Sequence, residues 1–264
     1  MKLTQKNYYS KESNESFMSV SQFKDFCKCE AMAMAKINGT YQQPKSRALI
    51  LGSLFDELLT GTKKSLDQFI AENKDELFKK DGKPYADVAQ TYETADKVKQ
   101  QPLMMKYLTG QNQKIMTGTI EGVPFKIKMD VFSKGNFITD LKYMASLRSP
   151  NLFESMVKYW GYDYQGAVYQ EIVYQNTKNE LPFYLNIATK ETIPHLELCE
   201  IKQYDLDDAL RRVEKLAPRF QAIKNGLIEP ERCEEYDCPY CTSTRIITEP
   251  IDSNLLGMAR KIEE

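Results

Sequence analysis

The chain has 264 residues, 42% hydrophobic and 28% charged, with a formal net charge of -1. That is an ordinary globular composition, enough for one sizeable core, and it excludes a binder that captures nucleic acid through a global positive field. No apolar run approaches the roughly 18–20 residues that a membrane span needs.

Residues 1–16 are polar, lack the apolar centre of a secretory signal and are expected to be poorly ordered. Residues 18–37 read as one helix, capped by Ser19 or Ser21 and ended by Gly39, with Phe23, Phe26, Cys27, Ala31 and Met34 at helical spacing. Residues 46–60 form a second helix, apolar on most faces, with Gly61 as its cap. Gly52 inside it costs about 1 kcal/mol relative to Ala. Its presence predicts a close approach to another backbone or the edge of a site. Asp56 is an acid on this apolar helix, either at a watered edge or lining a polar site.

Residues 65–85 are charged and read as a surface excursion, turning at Asp81-Gly82. Helices follow over 87–101 and 103–108, separated by Pro102. Residues 113–121 are a strand leading into a hairpin over 123–142, which makes a three-stranded meander. In that hairpin Phe125, Ile127, Met129 and Val131 alternate with Lys126, Lys128, Asp130 and Phe132, the period of a half-buried strand. The turn lies at 133–136. With Phe132 opposite Phe137, Asp130 falls across from Thr139 or Asp140. Asp140 and Lys142 project from one face. Two carboxylates that close repel unless a cation sits between them, and a divalent ion with oxygen ligands does that best. The competing reading is a surface hairpin with charges on its solvent face.

Residues 149–175 read as a long helix capped by Ser149 or Asn151, in which Gln165 and Tyr169 share a face. Gly161 and Gly166 predict close packing there. Strands follow at 181–189 and 195–204, with His195 at an edge and not a ligand, because the chain has no second His. A helix over 205–225 begins at Asp205, closes at Gly226 and should kink at Pro218. The segment 227–245 carries Cys233, Cys238 and Cys241, and Cys238-Pro239-Tyr240-Cys241 has the form of a metal-binding knuckle. Residues 246–264 look like a polar end, helical from Ser253. With six cysteines and no signal, a reducing, cytoplasmic setting is expected, and one domain spans 1–264.

Asp130, a turn, then Asp140-Leu141-Lys142 resembles the motif of the PD-(D/E)xK nuclease superfamily. Met129 stands where the motif's proline would be. LGSLFDELL at 51–59 is similar to the Gly-x-x-x-His helix of the RecB-like and RecE-like, phage-type exonuclease branch, with Gly52 in register and Asp56 in place of the His. YDYQGAVY at 162–169 is similar to its Gln-x-x-x-Tyr helix. The order and spacing of these motifs match from about residue 19 to about residue 241.

The resemblance implies an α/β (α+β) fold of restriction-endonuclease type, a central mixed sheet flanked by helices. It implies a deoxyribonuclease dependent on Mg2+ or Mn2+ that acts at linear DNA ends in recombination or repair. Asp130, Asp140, Asp56 and the Leu141 carbonyl would hold the metal. Lys142 would orient the attacking water, and Gln165 and Tyr169 would position the nucleotide or the lysine. Asp56 is either a third carboxylate ligand or the mark of a weakened site retained as a DNA- or protein-binding module. A ring-like homo-oligomer and a single-strand annealing partner are further implications. SVSQFKDFCKCEA at 19–31 resembles the start of AddB-type iron–sulfur nucleases. In that register Cys29 joins Cys233, Cys238 and Cys241 around a four-iron four-sulfur (4Fe-4S) cluster. A Zn2+ site and plain reduced thiols remain open.

Overall fold

The computed structural model describes residues 1–42, 46–233, 238–247, 250 and 253. Contacts divide the chain into two compact units. One comprises Met1–Gln43, Thr119–Lys126 and Arg212–Glu264, and the other Pro44–Gly118 and Ile127–Arg211.

The first unit begins with α1 (Lys11–Ser16), capped by Ser10, whose hydroxyl accepts from the Ser13 N–H. Residues 1–16 are therefore not the loose start that their polarity predicts. Lys126, only 1% exposed, donates to the Tyr8 carbonyl at 2.6 Å, Ser13 Oγ at 2.8 Å and Asn14 Oδ1 at 2.7 Å. A buried ammonium needs such acceptors, and this polar stretch supplies them.

The single helix expected over 18–37 is two, α2 (Val20–Lys28) and α3 (Glu30–Asn38). Cys29 between them is extended, at φ -165° and ψ 111°. Its thiol accepts from the Met32 N–H and caps α3, replacing a helical bond lost at the break. Gly39 ends α3 at φ 76°, as its position predicts.

In the second unit, Ser46 caps α4 (Arg47–Thr60), which buries Leu51, Leu54 and Phe55. A Cβ on Gly52 would meet nothing within 4 Å, so the predicted close approach to a backbone is absent. The charged excursion is helical: α5 (Lys63–Glu72), started by a Thr62–Ser65 capping box, and α6 (Lys74–Leu77). Leu66, Phe69 and Ile70 pack on the core of Leu51, Leu54, Leu77 and Val88. Next come α7 (Ala86–Lys99) and α8 (Pro102–Tyr107), with Pro102 in the first turn, where its missing N–H costs nothing.

The sheet has five strands in the order β1 (Gln111–Ile120), β2 (Val123–Ser133), β3 (Phe137–Met144), β4 (Phe183–Thr189) and β5 (Leu196–Ile201). β2 and β3 form the expected antiparallel hairpin, turning at Gly135 with φ 78°. β3 and β4 are parallel, and β4 and β5 antiparallel, which gives the mixed sheet flanked by helices. A parallel pair needs a long crossover. Here it carries α9 (Met156–Tyr159) and α10 (Tyr162–Thr177). The long helix predicted from 149 is thus shorter, because Gly161 at φ 61° separates α9 from α10. A Cβ on Gly166 would lie 2.7 Å from Leu206 Cδ2 and 2.8 Å from Phe183 Cδ1, the close packing its sequence position predicts. His195 lies at the surface beside Glu191.

α11 (Gln203–Lys224) runs through Pro218 without a break, and α12 (Pro239–Ser243) follows. In the first unit Phe220 of α11 stacks on Phe26 of α2 at 5.0 Å between ring centres. Most of the polar end predicted over 246–264 lies outside the described residues. Among those described, no helix is long and apolar enough to cross a membrane.

Candidate active site and cysteine centre

The hairpin alternation places the first acids. Val131 pairs with Thr139, and one step back along that register Asp130 stands across from Asp140. Asp130 Oδ2 accepts from the Leu141 N–H at 2.8 Å. Asp140 is 3% exposed, and its Oδ2 lies 2.5 Å from Lys142 Nζ. Gln165, on the first turn of α10, ties the two together. Its amide N–H donates to Asp140 Oδ1 at 2.6 Å, and its carbonyl accepts from Lys142 at 3.2 Å. Tyr169, one turn further on, donates to the Lys128 carbonyl at 2.9 Å and so pins α10 to β2.

Asp56 reaches the same place from α4. Thr60, one turn later, donates to Asp56 Oδ1 at 2.8 Å. The side chain of Gln113 donates both to Asp56 Oδ2 at 2.9 Å and to Asp130 Oδ1 at 3.3 Å. Lys142 Nζ lies 4.6 Å from the centre of the Tyr162 ring, a cation–π contact. The structure therefore brings Asp56, Asp130, Asp140, Lys142 and Gln165 together, while the Tyr169 hydroxyl acts on the backbone of β2. Thr60, Gln113 and Tyr162 escaped the sequence reading. Tyr162 had a signal, since it lies one turn before Gln165 on the same helix.

The electrostatics follow from crowding. Burial pushes Asp56 up to about 6; the Thr60 hydrogen bond opposes this, and the Glu57 and Asp140 charges add to it. Burial, then the charges of Asp140 and Asp56, raises Asp130 well above the usual carboxylate range. Burial alone would lower Lys142, but Asp140, Tyr162 and Asp130 outweigh it and hold the ammonium charged. The Asp140 charge thus raises both Asp56 and Asp130, and carboxylates under such repulsion are the oxygen donors a hard divalent cation takes, although here they are less closely drawn together than the sulfurs described below.

The break at Cys29 sets up a second centre, within the first unit. The sulfurs of Cys29, Cys233, Cys238 and Cys241 all lie within 4.8 Å of one another. Cys29 is 3.6 Å and Cys233 3.8 Å from Cys241. Burial raises the Cys29 thiol, but hydrogen bonds from the Cys233 and Met32 backbone and from the Cys241 and Cys233 side chains more than offset it. The net shift is downward, which favours the metal-ligating thiolate. A four-thiolate set of this kind suits zinc or iron. Among the described residues it is the only group of three or more His, Cys, Asp or Glu side chains already close enough to hold an ion.

Residues 19–244 match the family model described as a PDDEXK-like domain of unknown function (DUF3799). A protein from Eubacterium rectale, whose crystal structure is described as that of a "putative exonuclease", is 42% identical in sequence, with a TM-score of 0.89. The similarity covers 97% of this chain and 99% of that one. No curated protein matches the chain. The chain belongs to this PDDEXK-like family and, through it, to the PD-(D/E)xK nuclease superfamily.

Proposed function

We propose that this chain is a divalent-metal-dependent deoxyribonuclease that processes linear double-stranded DNA from its ends, in recombination or repair. The observation that carries the reading is the convergence of Asp56, Asp130 and Asp140, with a charged Lys142 ion-paired to Asp140. Asp130 and Asp140, with Asp56 and the Leu141 carbonyl, would hold Mg2+ or Mn2+. Such an ion, when bound, polarises the phosphate and makes its bound water a stronger acid. Lys142 orients the attacking water and offsets charge growing on the phosphate. Gln165 fixes both Lys142 and Asp140 in place, and Tyr169 holds the strand that carries Asp130.

The test is Asp140→Asn, assayed on end-labelled linear duplex DNA with Mg2+. We expect nucleotide release to be abolished, and release at the wild-type rate would refute the assignment. Closed circular duplex in the same assay separates an end-dependent enzyme, which spares it, from an endonuclease. The resemblance to RecE-like enzymes also supports a homo-oligomer and a single-strand annealing partner; light scattering checks the first.

A second reading, a nuclease fold kept mainly for binding, is favoured by one observation: the Gln113 amide spans Asp56 and Asp130. Tight metal-independent DNA binding without cleavage would select it. For the cysteines, the sulfur separations support a single tetrahedral ion. With metal–sulfur bonds of about 2.3 Å, thiolates around one ion lie roughly 3.8 Å apart. A four-iron cluster holds its thiolates farther apart than one ion does. Zinc by elemental analysis with no visible absorption fits the single ion, and a broad visible band with iron fits the cluster.

A further inference from the structure

A basic, aromatic cavity of about 370 Å3 lies away from the carboxylates, lined by Lys74, Phe78, Lys79, Lys80 and Tyr85, with Asp75 the one acid among the lining residues. Its wall is a built turn. The Lys79 N–H donates to the Lys83 carbonyl at 2.8 Å, and the Gly82 N–H donates to the Lys79 carbonyl at 2.9 Å. Phe78 bridges Pro84, and the Tyr85 N–H donates to the Leu77 carbonyl at 3.1 Å. Lys74, Lys79 and Lys80 form no ion pair among the described residues. Three lysines and one aspartate thus line it, in a chain whose net charge is -1.

The aromatic rings supply the second half of the chemistry. Arg47 sits 5.2 Å from the Tyr85 ring centre, donates to both oxygens of Asp87, and also donates to the Glu76 carbonyl. The ring is therefore held in one orientation while 38% exposed. Lysines beside a fixed, partly exposed aromatic ring are the features that hold a single-stranded polynucleotide, with phosphates on the cations and an unpaired base on the side of the ring that Arg47 leaves open.

Arg47 also ties this cavity to the proposed active site. It opens α4, and Asp56 lies nine residues further along the same helix. At 1.5 Å per residue that is roughly 14 Å.

We infer that the Lys74–Tyr85 cavity is a docking site for a single-stranded DNA end, holding the strand a short distance from the aspartates. The inference rests on the nuclease reading above. It is tested by anisotropy of a short labelled oligothymidylate on the full chain, without added divalent metal. Lys79→Ala combined with Lys80→Ala should weaken binding and lower the salt slope by about 1.4, at about 0.7 per lysine. Tyr85→Ala should raise Kd roughly 5-fold or more, while Tyr85→Phe, which keeps the ring, should bind as wild type. If both the lysine variant and Tyr85→Ala bind as wild type, and the wild-type chain still degrades DNA with Mg2+, the docking site is overturned and the nuclease reading stands. If the wild-type chain neither binds the strand nor releases nucleotides, both fall.

Discussion

Gln113 lies 57 residues from Asp56 and 17 from Asp130 in sequence, yet one amide group reaches both carboxylates. Its N–H groups do locally what a cation does more strongly: they put positive charge between two acids that repel. Bringing a metal to the same oxygens means displacing that amide. Gln113→Ala should therefore tighten Mg2+ binding by roughly 10-fold, the equivalent of one hydrogen bond to a charged group, as read by titration calorimetry. A weaker affinity would show that the amide helps to assemble the site, and an unchanged one that it does not compete with the metal. In the sequence, strand alternation grouped Asp130, Asp140 and Lys142, while the resemblance to the Gln-x-x-x-Tyr helix pointed to Gln165. Neither could reveal Gln113, whose backbone is left-handed at φ 52° at the start of β1, off any strand pattern.

At the scale of elements, regular patterns were legible and interruptions were not. The β2–β3 hairpin and its turn follow directly from alternation and Gly135. The break at Cys29 does not, because a cysteine in a helical pattern reads as a small apolar residue. It is the sulfur cluster, formed with residues some two hundred positions later, that gives the extended Cys29 its purpose. Helix α5 carried a signal in Leu66, Phe69 and Ile70, obscured by the charge around them. Pro218 shows the reverse case. It predicts a kink, but α11 continues through it with the proline at the surface. A helix-interior proline costs about 3 kcal/mol relative to Ala. Pro218→Ala should accordingly raise the urea midpoint of the chain, by a stabilisation of up to about 3 kcal/mol, and a lowered midpoint would mean that the ring itself packs.

For the molecule as a whole, the first unit carries an uncommon electrostatic load. Lys224 donates to the Asn14 and Phe17 carbonyls and to Gln22 Oε1. Burial first, then the nearby Lys126 charge, pushes it down to about 8, with Glu15 opposing. Burial likewise pushes Lys126 down to about 8. An unfolded lysine titrates near 10.4. Between about 8 and 10.4 the unfolded chain holds more protons on these groups, so their contribution to stability grows as pH rises through that window and is lost as pH falls through 8. Tyr8, raised out of the usual range by burial, acts in the opposite sense once unfolded tyrosine ionises near 10. Urea unfolding at pH 8 and pH 9.5 reads the balance in this interval, in which the Cys27 thiol, pushed up by burial to about 12, opposes the lysines because an unfolded thiol ionises near 8.5. Lys224→Met should reduce the pH slope of stability in that interval, and an unaltered slope would remove Lys224 from the account.

The division of the first unit into three separated stretches of chain sets an order of events during synthesis. Residues 1–43 are made before the second unit, but the Phe220 ring that stacks on Phe26 and the three cysteines that meet Cys29 are made after it. The residues of the second unit are almost all made in between and can assemble first, domain by domain. Until residue 241 is released, the nascent chain carries α2 with its apolar face uncovered and Cys29 without its partners. Contacts this distant in sequence close slowly. Helices α2 and α3 thus wait longest for their partners, although they are made before the whole of the second unit.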